Sequence, residues 1–324
     1  MKLNVVLVCA LAAGTAVAQQ DKWSALIQQA DKQEEMGNYP KTVDLYRRAV
    51  ALVKGPASPR LLRTLVGLAT ASDELGQYQE AEHAYRQSLQ IAQTLFGRKS
   101  LQYAVISIDM STHYSDLGER IKGEKLIREA IATLSVLIPA DDPRLAQAQN
   151  CMAVLLMSDG QYEEAESLLQ HALETDRRHP ELPAGKLAVT LSNMGAVNGY
   201  QRRYEEAVEF FQKAIALLEG QLGDDHPLLL RALSNLATID AALDRREAAE
   251  AAFQRAITIA EDRTLTASPV FGRVLLNYSS FKRKIGSKKE AKSLEARAKT
   301  IFTDSARDNG AGLTVDASSF QASR

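Results

Sequence analysis

A period of 42 residues governs most of the chain, and a repeat of this length limits the fold to a stack of similar units. The segment GQYEEAESLLQHAL, residues 160–173, returns 42 residues later as RRYEEAVEFFQKAI, residues 202–215. Because the second copy lacks the histidine of the first, a catalytic cluster does not explain the recurrence. One step of 39 residues and five of 42 define seven units, with anchors at Gly37, Gly76, Gly118, Gly160, Arg202, Asp244 and Gly286.

Small residues recur at three places in every unit. Seven residues before the anchors stand Ala30, Ala69, Ser111, Ala153, Gly195, Ala237 and Ser279; five after stand Thr42, Ala81, Gly123, Ala165, Ala207, Ala249 and Ala291; twelve after stand Ala49, Ser88, Ala130, Ala172, Ala214, Ala256 and Ala298. Helices approach closely where the facing side chains are small. Each unit is therefore predicted to be an antiparallel helix hairpin that turns at its anchor.

Prolines mark the predicted starts of the first helices. They lie at multiples of 42 residues from one another, at Pro59, Pro143, Pro227 and Pro269. Ser58, Asp142 and Ser268 precede three of them, which is the order of an N-cap residue followed by proline in the first helical turn.

These patterns resemble the tetratricopeptide repeat, in the long variety found in kinesin light chains. The similar segments are LSNMG (191–195), LSNLA (233–237), GQYEEAE (160–166) and LGDDHP (222–227). The resemblance implies an all-α, right-handed superhelical solenoid of about seven antiparallel hairpins. Arg202 and Asp244 depart from it, because they stand where the family has a turn glycine, and so does the third unit at residues 119–125.

The two ends differ from the repeats. Residues 1–18 have a lysine, an apolar run too short to span a bilayer and an A-x-A cleavage site, so they are predicted to be a signal peptide for export to a periplasm or the medium. Residues 19–302 then form the solenoid. Residues 303–324 are rich in Ser, Asp and Gly and are predicted to be mostly disordered. Their apolar residues leave docking on the last hairpin or in the groove open.

The concave face of such a solenoid is lined by the first helices, and the resemblance implies that it takes an extended peptide. Asn193, Asn235 and Asn277 stand there at 42-residue intervals, with Ser234 beside the second. Such amides can bond a peptide backbone, or they can bond the neighbouring hairpin and hold the stack. The sequence leaves both open.

Charge divides the predicted groove into two halves. The C-terminal half has cationic and polar residues that suit an acidic peptide or carboxylate, namely Arg231, Arg273, Arg283, Tyr200 and Thr238. The alternative for each is ordinary solvated surface. The N-terminal half has Asp31, Glu34, Glu35, Asp73, Glu74, Asp109 and Asp116, and is predicted to be anionic.

Other functions find little support. The formal net charge of −1 gives no general attraction to nucleic acid, and no metal-ligand spacing, phosphate loop or nucleophile motif is present. We therefore expect no enzyme, metal or cofactor. Cys151 is interpreted as a small buried hydrophobe, with a groove thiol as the alternative.

The predicted function is that of an exported scaffold that binds a peptide or protein segment in its groove. One alternative is a purely structural, self-assembling protein with an empty groove; a weaker one is an enzyme that uses groove carboxylates. The oligomeric state stays open.

Overall fold

The computed structural model describes residues 21–55 and 57–308, the last four without their side chains. This part consists of fourteen α-helices and has no strand. The helices are α1 (residues 21–35), α2 (Tyr39–Leu52), α3 (Pro59–Glu74), α4 (Tyr78–Phe96), α5 (Leu101–Asp116), α6 (Arg120–Leu137), α7 (Pro143–Ser158), α8 (Tyr162–Arg178), α9 (Ala184–Tyr200), α10 (Tyr204–Leu222), α11 (Leu229–Ala242), α12 (Arg246–Asp262), α13 (Pro269–Lys284) and α14 (Lys288–Asp308). The predicted signal peptide and residues 309–324 lie outside the described residues.

Each unit is a hairpin whose helices meet at the small residues. Every residue of the three small columns is buried. In the fifth unit a Cβ on Gly195 would lie 2.9 Å from the Phe211 ring, so only glycine lets that ring approach. In the third unit the Ser111 hydroxyl donates to the Gly123 carbonyl at 2.9 Å. The predicted small-residue contacts are thus confirmed.

All seven anchors adopt the left-handed backbone conformation. The glycines include Gly118, with φ +73°, so the third unit turns like the others despite its poor match. Arg202 and Asp244 also have positive φ, at 62° and 59°. Because side chains with a Cβ are strained there, the turn geometry is imposed at these two positions by the surrounding hairpin.

The predicted N-caps form at three helix starts. The side chains of Ser58, Asp142 and Ser268 accept from the backbone N–H groups of Leu61, Arg144 and Val270. The prediction was wrong by two residues at α11, which begins at Leu229 rather than at Pro227. His226 replaces the capping residue there, and its Nδ1 accepts from the Leu228 N–H at 3.3 Å.

The hairpins stack into a superhelix with the first helices inside. Helices α3, α5, α7, α9, α11 and α13 contact one another in series, so they form the inner layer. Helix α14 continues to Asp308, six residues beyond the predicted end of the solenoid. None of the described helices is long and apolar enough to cross a membrane.

The superhelix closes on itself through contacts that we call the clasp. A Cβ on Gly37 would lie 2.4 Å from Pro227 Cδ, and one on Gly76 would lie 2.3 Å from Pro269 Cδ. The turns of the first two units therefore rest on the loops that precede the sixth and seventh. Arg263 adds a hydrogen bond of 3.3 Å to the Met36 carbonyl. The first and last hairpins thus enclose a common inner space, which we call the lumen.

Candidate functional site

One carboxylate, that of Asp116, bonds two arginines from the opposite side of the lumen. Asp116 of α5 accepts from Arg231 of α11 at 3.4 Å and from Arg273 of α13 at 3.1 Å. Both arginines belong to the predicted cationic half of the groove, and Asp116 belongs to the anionic half. The two halves therefore face and neutralise each other, so an acidic ligand at Arg231 and Arg273 has to compete with Asp116.

This pairing governs the ionisation of the lumen carboxylates. Burial raises the pKa of Asp116, but Arg231 and Arg273 outweigh it and hold that pKa below its ordinary value. The pKa of Glu74 is raised by burial, which Arg231 offsets only in part. Asp116 is thus the charged partner of the bridge, whereas Glu74 is more easily protonated.

Other carboxylates of the N-terminal half are also engaged within the protein. Asp31 pairs with Arg63 at 2.6 Å, and Asp73 lies 2.6 Å from Nδ1 of the buried His113. Asp109 accepts from the Gln147 side chain at 3.1 Å. Burial raises the pKa of Asp109 to about 7, so this group titrates near neutrality.

Two of the three predicted asparagines bond a neighbouring unit. Asn277 donates to the Ser234 hydroxyl at 3.0 Å, and Asn193 donates to Asn150 Oδ1 at 3.2 Å. These bonds use one amide N–H in each case and leave other donors and acceptors of the side chain. Asn235 is half-buried and makes no side-chain hydrogen bond to other described residues. The role of these amides in ligand contact stays a prediction.

Two further predicted residues contact their own unit. Arg283 forms an ion pair with Glu295 of α14, the second helix of the same hairpin. The Thr238 hydroxyl donates to the Ser234 carbonyl one turn back in α11, at 2.8 Å. Neither contact joins these side chains to the bridge at Asp116.

Helix α9 presents a partly exposed stripe to the lumen. Val189, Asn193, Ala196 and Tyr200 lie on one face, since they are spaced by three to four residues. Val189 is 48% exposed and Tyr200 is 57% exposed. The Tyr200 ring stacks on Tyr162 at 5.4 Å, which holds it in place.

Sequence reasoning missed Val189, although a signal was available. It stands one 42-residue step before Arg231 and two before Arg273, hence on the same inner column. Val189 is apolar, whereas the ligand contacts predicted from the sequence were polar, charged or tyrosine side chains. Gln147 precedes it by another step and accepts from Lys186 at 3.4 Å.

The thiol of Cys151 lies on the inner layer and is partly buried. It is 3.2 Å from the Thr112 hydroxyl. Burial raises its pKa to about 11, so the thiol is protonated at neutral pH and is a poor nucleophile. Among the described residues, no group of three or more His, Cys, Asp and Glu side chains could hold a metal ion.

Comparison with known proteins agrees with this geometry. Two tetratricopeptide repeat models match the chain, one at residues 24–94 and 186–262 and another at residues 145–179. The chain belongs to the tetratricopeptide repeat family. A search of curated proteins matched none.

Solved structures share the fold at low sequence identity. A Rap protein complexed with Competence and Sporulation Factor has a TM-score of 0.66 and 14% identity, over 90% of this chain and 88% of that chain. NprR in complex with its cognate peptide NprX has a TM-score of 0.64 and 15% identity, over 89% and 79%. The apo form of RapI has a TM-score of 0.59 and 11% identity, over 88% and 98%. At these identities the likeness concerns the fold.

Proposed function

We propose that this protein binds a peptide or an extended protein segment in its lumen and acts as an interaction scaffold. The observation that carries the proposal is the exposed stripe on α9. Val189 and Tyr200 offer apolar surface on an inner helix, while much of the surrounding polar lining is already paired within the protein. An apolar side chain of the ligand would cover this surface and gain free energy from its burial.

Polar groups on the stripe and next to it would hydrogen-bond the ligand backbone. Asn193 and Asn235 retain donors and acceptors, as an extended peptide without internal hydrogen bonds requires. A carboxylate of the ligand would replace Asp116 at Arg231 or Arg273. NprR, which shares the fold and is solved in complex with its cognate peptide NprX, supports the proposal.

The test is binding of the protein to a library of extended peptides, with paired substitutions at exposed apolar positions. Val189→Ser and Tyr200→Ala should each weaken binding of a selected peptide at least tenfold without loss of folding. Val136 is 84% exposed on the outer helix α6, so Val136→Ser is the matched control and should bind normally. Equal affinity of all three variants would place the site elsewhere.

We also propose that the protein is exported, on the pattern of residues 1–18. Cell fractionation combined with sequencing of the mature N-terminus tests this directly. Cleavage after Ala18 in an exported fraction is the expected result. An uncleaved chain confined to the cytoplasm would contradict it.

A further inference from the structure

One kind of side-chain hydrogen bond joins neighbouring inner helices at two places, two repeats apart. Asn193 Nδ2 of the fifth unit donates to Asn150 Oδ1 of the fourth at 3.2 Å. Asn277 Nδ2 of the seventh unit donates to the Ser234 hydroxyl of the sixth at 3.0 Å. In both pairs the acceptor residue stands 43 positions before the donor. The bond therefore belongs to a fixed register between successive first helices.

The amide of Asn150 can adopt only one orientation. Its Nδ2 donates to the Thr190 hydroxyl oxygen at 2.8 Å and to the Ala146 carbonyl at 3.3 Å. The Thr190 hydroxyl in turn donates to Asp176 at 2.6 Å, and a carboxylate can only accept. Reversal of the Asn150 amide would place its oxygen against two oxygens that offer it no proton. Asn150 therefore presents Oδ1, and not an N–H group, to Asn193.

Three of these side chains are buried between helices. Asn150 of α7, Asp176 of α8 and Thr190 of α9 are withdrawn from water, and we call them the buried network. Burial raises the pKa of Asp176, whereas its hydrogen bond from Thr190 and the charge of Lys186 favour the ionised form. A buried polar group that loses its hydrogen bond is costly, so each member holds the next in one orientation.

The buried network fixes the amide of Asn193 in turn. Asn150 takes one N–H of this amide, and Oδ1 of Asn193 has no hydrogen-bond partner among the described residues. Asn193 is half-buried and lies on the α9 stripe between Val189 and Tyr200. A free carbonyl oxygen beside exposed apolar surface suits an extended peptide, whose main-chain N–H groups lack internal partners.

Asn277 is not fixed in the same way. The hydroxyl of its partner Ser234 can donate as well as accept, so either orientation of the Asn277 amide preserves the bond. Control of amide orientation is therefore specific to the junction of the fourth and fifth units, where the α9 stripe lies.

We propose that Asn150 is a positioning residue, which turns the Asn193 oxygen toward the lumen so that it accepts a main-chain N–H of the bound segment. The inference rests on the proposed function and adds one requirement to it. The segment must carry an unsubstituted N–H near the side chain that covers Val189. A proline or an N-methylated residue at that place lacks the donor and is rejected.

The experiment places an N-methyl group on each main-chain nitrogen, one at a time, of a peptide selected from the library, and measures the affinity of the full chain. At one nitrogen, methylation should weaken binding to the parent protein about tenfold, which corresponds to the loss of one hydrogen bond. Asn193→Ala identifies this nitrogen, because methylation there should no longer affect its binding. In Asn150→Leu the penalty should fall below about threefold, since the Asn193 amide can then turn.

Asn198 provides the matched control. It is also a buried asparagine on an inner helix, but its amide donates to the Met194 carbonyl of its own helix at 2.7 Å. Asn198→Leu should keep the full penalty. Thr190→Val tests the next member of the buried network and should lower the penalty, whereas Thr190→Ser retains the hydroxyl and should restore it. Circular dichroism and melting temperatures establish that each variant is folded.

Three outcomes would contradict the proposal. A full penalty in both Asn150→Leu and Thr190→Val, or a penalty that is lost equally in Asn198→Leu, would exclude the positioning role. If no N-methyl group distinguishes the parent protein from Asn193→Ala, no ligand N–H bonds Asn193, and the inference fails while peptide binding stands. A parent protein that binds no peptide overturns the proposed function and this inference together.

Discussion

His226 and Glu35 are 191 residues apart in sequence, and their side-chain Nε2 and main-chain carbonyl lie 3.2 Å apart. The Nδ1 of the same ring accepts from the Leu228 N–H, so the ring is neutral with its proton on Nε2. Burial lowers the pKa of His226, as expected for a ring held neutral. This one side chain therefore joins the first hairpin turn to the start of α11.

Acidification should weaken this junction. Because the folded-state pKa of His226 lies below its unfolded value, its contribution is complete above about pH 6.5 and is lost as the pH falls through the folded value. The protection factors of the amides at residues 35–38, which are corrected for the intrinsic exchange rate at each pH, should fall as the pH is lowered from 7 to 5. In a His226→Gln variant this pH dependence should disappear, and its persistence there would assign it to another group.

Closure by the clasp predicts a difference between two glycines. Gly37 and Gly160 have similar backbone conformations, with φ +68° and +74°, but only at Gly37 would an added Cβ meet a proline ring. Backbone strain should lower the free energy of unfolding of both alanine variants by about 1 kcal/mol. In Gly37→Ala the free energy of unfolding should fall by about 1–3 kcal/mol more, because the rigid proline ring cannot move away from the added methyl group. Urea unfolding measures both values, and equal losses would mean that the clasp is open in solution.

The bridge at Asp116 should contribute measurably to stability. Asp116→Asn leaves Arg231 and Arg273 without their charged partner, and a loss of about 1 kcal/mol is expected after allowance for their partial exposure. Asp44→Asn is the control, since Asp44 and Arg48 form an exposed pair and its loss should be about 0.5 kcal/mol or less. Equal losses of stability in the two variants would mean that the bridge contributes no more than an exposed surface ion pair.

The raised pKa of Asp109, about 7, gives a pH dependence of opposite sign to that of His226. The folded protein holds this proton more tightly than the unfolded chain, so the group costs stability as the pH rises from about 4 to 7. Asp109→Asn removes the cost. The variant should melt above the parent protein at pH 8 and close to it at pH 4. A gain that is the same at both pH values would show that burial does not shift this carboxyl.

Relief of strain at the fifth turn should stabilise the protein. Arg202 has φ 62°, and Arg202→Gly should gain about 0.5–1 kcal/mol. Gln170 is exposed within α8, so Gln170→Gly should instead lose about 1 kcal/mol. Chemical denaturation of both variants checks the opposite signs, and a loss in both would mean that the Arg202 side chain makes a compensating contact.

Periodicity made the hairpins predictable, because small residues, turn glycines and helix caps each have a local physical cause. The same logic failed at Pro227, where the preceding His226 is engaged by the first unit and α11 starts later. Closure itself has no local cause. Closure depends on small rotations between successive units, which add up over five repeats. No sequence feature of a single repeat reveals their sum.

The candidate site shows the same limit. Sequence reasoning placed Arg231 and Asp116 in opposite halves of a groove, but it could not show that they meet across it. The 42-residue register did identify the inner face, and Val189 lies on that face by the same register. The choice between ligand contact and stacking for Asn193, Asn235 and Asn277 depends on a partner and stays a prediction.

The clasp also changes how this repeat protein should unfold. An open solenoid behaves as a one-dimensional chain of nearest neighbours, so its ends can fray without effect on its middle. Here the turn of the first hairpin packs against the loop that precedes the sixth. Neither end can therefore fray without loss of contacts at the other. Unfolding becomes cooperative over the whole array, and the deletion of a single internal repeat would misalign every contact between the two ends.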